Sequence, residues 1–187
     1  SLIRSGIPYR VIGGRRFYER KEIRDAIAYL SVIANHDDDV RLGRIVNEPK
    51  RGIGATSMSN AGQIAAGLGM SVFEVMAHAK EYPAVTRASA KMQEFAAMIE
   101  RFSSLSQTLP LDELLSVVLQ ESGYLASLAQ DPETMEDRTE NLDELRSNLA
   151  RFRQENPDGT LTDFLEEIAL LTDLDSYNAE ADTVVLM

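Results

Sequence analysis

The chain has 187 residues, of which 44% are hydrophobic, and a formal net charge of −11. That length supports one hydrophobic core, or one core with a small appendage, and the acidic balance excludes a polycation that coats nucleic acid by charge alone. The absence of cysteine excludes disulfides, thiolate metal sites and thiol catalysis, and no apolar run approaches the roughly 20 residues that cross a bilayer.

The charge is unevenly spread. Residues 1–54 carry 11 Lys/Arg against 7 Asp/Glu, and the remainder carries 8 against 23. An anion-binding surface is therefore expected near the N-terminal third. A cysteine-free chain suits a reducing compartment, so a cytoplasmic location is expected. The closing TVVLM reads as an apolar strand cut short, so the chain is expected to be an excised piece.

In chain order, residues 9–12 (YRVI) read as a buried strand ended by Gly13-Gly14. Ile23, Ile27, Leu30 and Ile33 recur at helical spacing. Residues 37–39 cap a short helix bearing Val40, Leu42, Ile45 and Val46, and Arg51-Gly52-Ile53-Gly54 forms a tight loop after Pro49. Thr56 and Ser57 are expected to cap a helix with Ile64, Ala65 and Leu68 inward, ended by Gly67 and Gly69. Ser71 and Glu74 form a capping box ahead of Phe73, Val75 and Met76.

A long helix follows Pro83, with Val85, Ala88, Met92, Phe95, Ile99 and Phe102 forming one seam. Pro110 opens a helix carrying Leu111, Leu114, Leu115 and Val118, closed at Ser122-Gly123. The acidic stretch 131–137 separates it from a helix capped by Thr139 and bearing Leu142, Leu145, Leu149 and Phe152. Thr160 and Asp163 cap a last helix with Phe164, Leu165 and Ile168. Residues 172–183 read as a flexible acidic linker, and 184–186 as a strand. The expected fold is mainly α: a helical bundle with short flanking strands near both termini.

The loop at 50–57 carries the clearest chemistry. Glycine lets backbone approach a phosphate without a Cβ in the way. Its N–H groups form a small anion nest, and the helix that follows adds unpaired amides and a positive dipole end. Lys50 and Arg51 add full charges, and Ile53 plugs the loop into the core. Such a loop grips a duplex backbone without reading bases; equally, it is a plain tight turn between helices.

The basic run Arg15, Arg16, Arg20, Lys21 and Arg24 reads as a solvated helix face, with Arg20 and Arg24 repelling and Lys21 and Asp25 attracting at a spacing of four. Phe17 and Tyr18 read either as core or as base-stacking rings. Arg138, Glu140 and Asn141 are explained by a helix start. His36 and His78 have no ligand-spaced partners, and residues 37–39 lack the pattern of a calcium loop. No G-x-x-x-x-G-K-[ST] and no nucleophile elbow occur.

Residues 8–25, PYRVIGGRRFYERKEIRD, resemble a motif of the UvrD/PcrA/Rep helicases of superfamily 1, matched here by Tyr9, Gly13, Gly14, Phe17, Arg20, Glu22, Ile23 and Asp25. That family usually has Lys where this chain has Arg24. NEPKRGIG (47–54) resembles the family's GIG motif, RTENLDEL (138–145) a third, and the terminal VVLM the strand entering motif V. The four occur in the family's order and span nearly the whole chain, while residues 58–137 match only in helical character.

The resemblance implies the 2B accessory subdomain with flanking pieces of the second motor domain, 2A. The implied division is 1–36 at the motor edge, 37–175 as the helical subdomain, and 176–187 as a linker and returning strand. It implies duplex DNA contact through Lys50, Arg51, Gly52, Ile53, Gly54, Thr56 and Ser57. Coupling to the motor, near single-stranded DNA, falls to Tyr9, Gly13, Gly14, Phe17, Arg20, Glu22 and Asp25. ATP and Mg²⁺ would serve the parent helicase, with no cofactor in this piece and no catalytic residue. The competing reading is a helical protein-interaction module that recruits partners without touching DNA.

Overall fold

Seven apolar residues of α2 (Lys21–Ala34), Ile23, Ala26, Ala28, Tyr29, Leu30, Val32 and Ile33, are at most 4% exposed. A helix apolar on so much of its circumference must lie inside its domain. Helices α3 (Asp39–Ile45), α6 (Ser89–Leu105), α7 (Leu111–Glu121), α9 (Pro132–Glu155) and α10 (Leu161–Val185) all pack on it. The structure is a computed structural model describing residues 14–185; at Arg15 and beyond residue 173 only the backbone is described.

Around this centre the remaining elements form two groups. In the first, α4 (Ala55–Leu68) and α5 (Val72–Ala77) pack with α6 and two 3₁₀ turns at Ala79–Glu81 and Pro83–Ala88. In the second, α8 (Tyr124–Leu128) packs between α7 and α9. A short α1 (Gly14–Glu19) leans on α2 and α10. The apolar seam Val85, Ala88, Met92, Phe95, Ile99 and Phe102 is buried throughout, as its spacing requires. So are the inward positions of α7 and α9. No helix among the described residues is long and apolar enough to cross a membrane.

The mainly helical fold stands, but the strand expected at the C-terminal end does not. The strand expected at 9–12 lies outside the described residues. At the other end, residues 172–183 continue α10, and Val184 and Val185 are its last residues. No proline or glycine interrupts the chain after Leu161, so the helix, once nucleated, propagates. Its start is capped as expected: Thr160 Oγ1 accepts from Asp163 N at 3.2 Å, and Asp163 Oδ2 accepts from Thr160 N at 2.9 Å.

Three other expectations need correction. The 131–137 stretch is the first part of α9, opened by Pro132, so Thr139 lies inside the helix and caps nothing. Proline suits the first helical turn, where its missing N–H costs nothing, and the acidic residues favour the helix's positive end. Leu68, expected inside, is 57% exposed, and Val40 of the short helix is 85% exposed. Gly67 is an ordinary residue of α4, and Gly69 alone ends it, at φ +67°.

Candidate nucleic-acid interface

The loop from Lys50 to Gly54 is held from below. Asn47 clamps it: its side-chain amide donates to the Ile53 carbonyl at 2.6 Å and accepts from the Ile53 N–H at 3.1 Å. The Ile53 side chain is 1% exposed, plugged into the core. Gly52 has φ +74°, the left-handed region that favours glycine. Gly54 is the N-cap of α4, with no side chain to satisfy the helix's first amides.

The helix ladder begins with Met58 N donating to the Gly54 carbonyl at 3.0 Å. The amides of Ala55, Thr56 and Ser57 therefore precede the first intrahelical donor, the Met58 N–H, and point out of the helix end. Thr56 and Ser57, expected as caps, sit in this first turn instead. Lys50, Gly52, Gly54, Ala55 and Thr56 are all exposed. The surface is thus a rank of outward amides at a positive dipole end, reached over glycine.

Two charges depart from the sequence reading. Arg51, expected on the outer surface, is turned inward. Its Nη1 donates to the carbonyls of Ile45 and Val46 at 2.9 and 3.1 Å, and its Nη2 donates to Tyr29 Oη and the Ser122 carbonyl at 2.7 and 3.1 Å. Its guanidinium also stands over the rings of Phe95 and Tyr29, 5.0 and 5.9 Å from their centroids. Ile53 likewise contributes a buried side chain and an occupied amide rather than a free donor. In their place stands Lys91 of α6, whose Nζ is 2.7 Å from where a Cβ on Gly52 would be. Lys91 is 39 residues beyond Gly52 in the chain, and nothing in the local pattern marks it.

The residues grouped with motor coupling are separate from this surface. Tyr9 and Gly13 lie outside the described residues, and Gly14 opens α1 with φ +54°. Phe17 is 1% exposed, with the Arg20 guanidinium over its ring. Glu22 and Asp25 are buried charges with partners. Asn141 donates to Glu22 at 2.6 Å, Arg138 lies 3.6 Å from it, and Arg20 donates to Asn141. Asp25 receives Lys21 and Arg44, each at 2.9 Å, and the Tyr124 hydroxyl at 2.7 Å.

Burial, and next the Asp25 carboxylate, push the Tyr124 hydroxyl well above the usual tyrosine range. Burial also raises Tyr29, against the opposing pull of Arg51. Arg138 and Asn141 thus serve to clip α9 onto the start of α2.

On another face, α2, α3 and α10 border a cavity of about 740 Å³. Its floor includes Ile27, Ala28, Leu165 and Ile168, and Arg24, Arg41 and Arg44 stand around it.

Residues 1–187, the whole chain, match the family model described as UvrD-like helicase C-terminal domain. Similar proteins include the ATP-dependent DNA helicase PcrA of Leuconostoc citreum, 39% identical over all of this chain and 26% of that protein. PcrA of Bacillus subtilis is 36% identical over 97% of this chain and 25% of its own length. PcrA of Staphylococcus epidermidis is also 36% identical, over 98% and 25%. The chain spans about a quarter of the length of these relatives. With the family model matched from end to end, the chain belongs to the UvrD-like helicase C-terminal domain family.

Proposed function

We propose that this chain is the duplex-binding accessory subdomain, 2B, of an ATP-dependent superfamily 1 DNA helicase. In this reading it grips the backbone of double-stranded DNA ahead of the unwinding junction. ATP and Mg²⁺ act in the motor portions outside the chain, which itself lacks a phosphate-binding G-x-x-x-x-G-K-[ST] sequence. The carrying observation is the open amide rank at the N-terminus of α4, approached over Gly52 and Gly54 and flanked by exposed Lys50 and Lys91. Backbone amides and lysines bind phosphates without selecting a base, which suits a protein that must pass over any sequence. The division carried in this reading is 1–36 at the motor edge, 37–175 as the helical subdomain and 176–187 returning to the motor.

The test is duplex binding by this chain, followed by fluorescence anisotropy across a salt series. The expected affinity is weak and falls steeply with salt, and Lys50→Gln and Lys91→Gln each reduce the logarithmic salt slope by about 1. A chain that ignores duplex DNA at low salt, or whose slope neither variant alters, would sink the reading.

The cavity bordered by α2, α3 and α10 supports a second reading, a protein-docking surface. Its apolar floor with Arg24 beside it suits a segment with an apolar anchor next to a carboxylate, while Arg41 and Arg44 are paired with Asp38 and Asp25. Binding that survives Lys50 and Lys91 replacement but is lost in Arg24→Glu would favour it.

A further inference from the structure

A guanidinium has five N–H donors in a rigid planar fork. In Arg51 four donor contacts are used within the protein and one face is covered by Phe95. The cation that sequence places at the centre of a phosphate-gripping loop has almost nothing left with which to hold a phosphate.

What it holds instead is specific. Ile45 and Val46 are the last residue and C-cap of α3, and Ser122 is the C-cap of α7. The Val46 and Ser122 carbonyls are orphan acceptors at the negative ends of two helices, and the Ile45 carbonyl, which also accepts from the Glu48 N–H at 3.0 Å, lies beside them. Tyr29, from the central helix, accepts from Arg51 and donates in turn to the Glu48 carbonyl at 2.6 Å. One side chain thus gathers the ends of α3 and α7, the middle of α2 and the strand of chain entering the loop. Its own Cα lies next to Gly52.

We infer that Arg51 is a positioning residue. It seats the Gly52-Ile53-Gly54 loop on the helical body and so aims the α4 amides, and it makes no phosphate contact itself. Lysine cannot replace it in this role, because an ammonium lacks the planar fork that reaches four acceptors and the flat face that stacks on Phe95. A phosphate-contacting cation, by contrast, would be largely replaceable by lysine. The consequence for DNA rests on the duplex reading above; the seating of the loop does not.

The experiment compares wild type with Arg51→Lys, Arg51→Gln, Tyr29→Phe and Lys50→Gln. Amide exchange is measured without DNA, and duplex affinity by salt titration. The Ile53 amide, bonded to Asn47, is expected to exchange at least about 10-fold faster in both Arg51 variants, with α9 amides held as the internal reference. Arg51→Lys is expected to leave duplex affinity as low as Arg51→Gln does. Tyr29→Phe keeps the cation and removes one acceptor, so it gives a smaller rise in Ile53 exchange even if an Arg51 variant fails to fold.

Unchanged Ile53 exchange in Arg51→Lys and Tyr29→Phe, or wild-type duplex affinity in Arg51→Lys, would overturn the inference. Should wild type fail to bind duplex at all, the DNA reading falls, and the exchange measurement still decides the placement of Arg51.

Discussion

Lys91 Nζ stands 2.7 Å from the point where a Cβ on Gly52 would be. Gly54, two residues on, has open space around the equivalent point and an ordinary φ of −67°. The two glycines of one motif should therefore respond differently to alanine. Gly52→Ala forces a left-handed backbone onto an L-residue, costing about 1–2 kcal/mol, and pushes the lysine aside. Gly54→Ala changes an N-cap and is expected to cost less, on the order of 0.5 kcal/mol. Urea denaturation of the two variants checks the order. Both should weaken duplex binding, because each places a methyl group on the approach to the amides.

Asp25 shows how a buried charge is tolerated. It is 1% exposed and has three partners, but Lys21 and Arg44 are 54% and 28% exposed. In Asp25→Ala the two cations turn to solvent, and the lasting penalty is the stranded Tyr124 hydroxyl. The expected loss is about 1–3 kcal/mol, below the 3–5 kcal/mol typical when a wholly buried ion pair is broken. Thermal or urea unfolding measures it, and a loss within about 0.5 kcal/mol of zero would count against the network.

Tyr124 gives the fold an alkaline limit. Its folded pKa lies above the ordinary 10.0, so its contribution is fully present below pH 10 and is lost as pH rises beyond it. Each such tyrosine adds a slope of about 1.4 kcal/mol per pH unit there. Tyr124→Phe should remove its share of that slope, leaving the part due to Tyr29, which is raised in the same direction. Stability against urea measured above pH 10 in the two proteins is the comparison.

Asp163 acts at the acid end. Hydrogen bonds from the Thr160 backbone and hydroxyl hold its carboxyl below the usual 3.8. Its support for α10 is therefore present above that value and is lost as pH falls through the lower folded one. Thr160→Ala keeps the larger backbone bond and removes the hydroxyl, so it should move Asp163 part of the way back toward 3.8, read by carboxyl-carbon NMR titration. An unmoved titration would mean the Thr160 hydroxyl contributes nothing to it.

Much of this architecture is written in local pattern. Apolar spacing at 3 and 4 residues was enough to place the inner faces of α2, α6, α7 and α9, because a helix repeats its faces whatever surrounds it. Capping chemistry at Ser71 and Thr160 was equally readable, since cap and capped amide are three residues apart. The expected strand at 184–186 failed because a short apolar run has no strand character of its own. With no breaker after Leu161, the chain stays helical through Val185.

The loop at 50–54 divides the same way. Its glycines, the plugged Ile53 and the helix that follows are local properties, legible in eight consecutive letters. The destination of a long flexible side chain is not, because it depends on which acceptors the folded chain brings within reach. Two helix ends and a tyrosine hydroxyl, up to 71 residues away, drew Arg51 inward, while α6 carried Lys91 to the vacated place. Spacing along the chain could say that cations cluster near this turn; three-dimensional packing chose which of them faces the solvent.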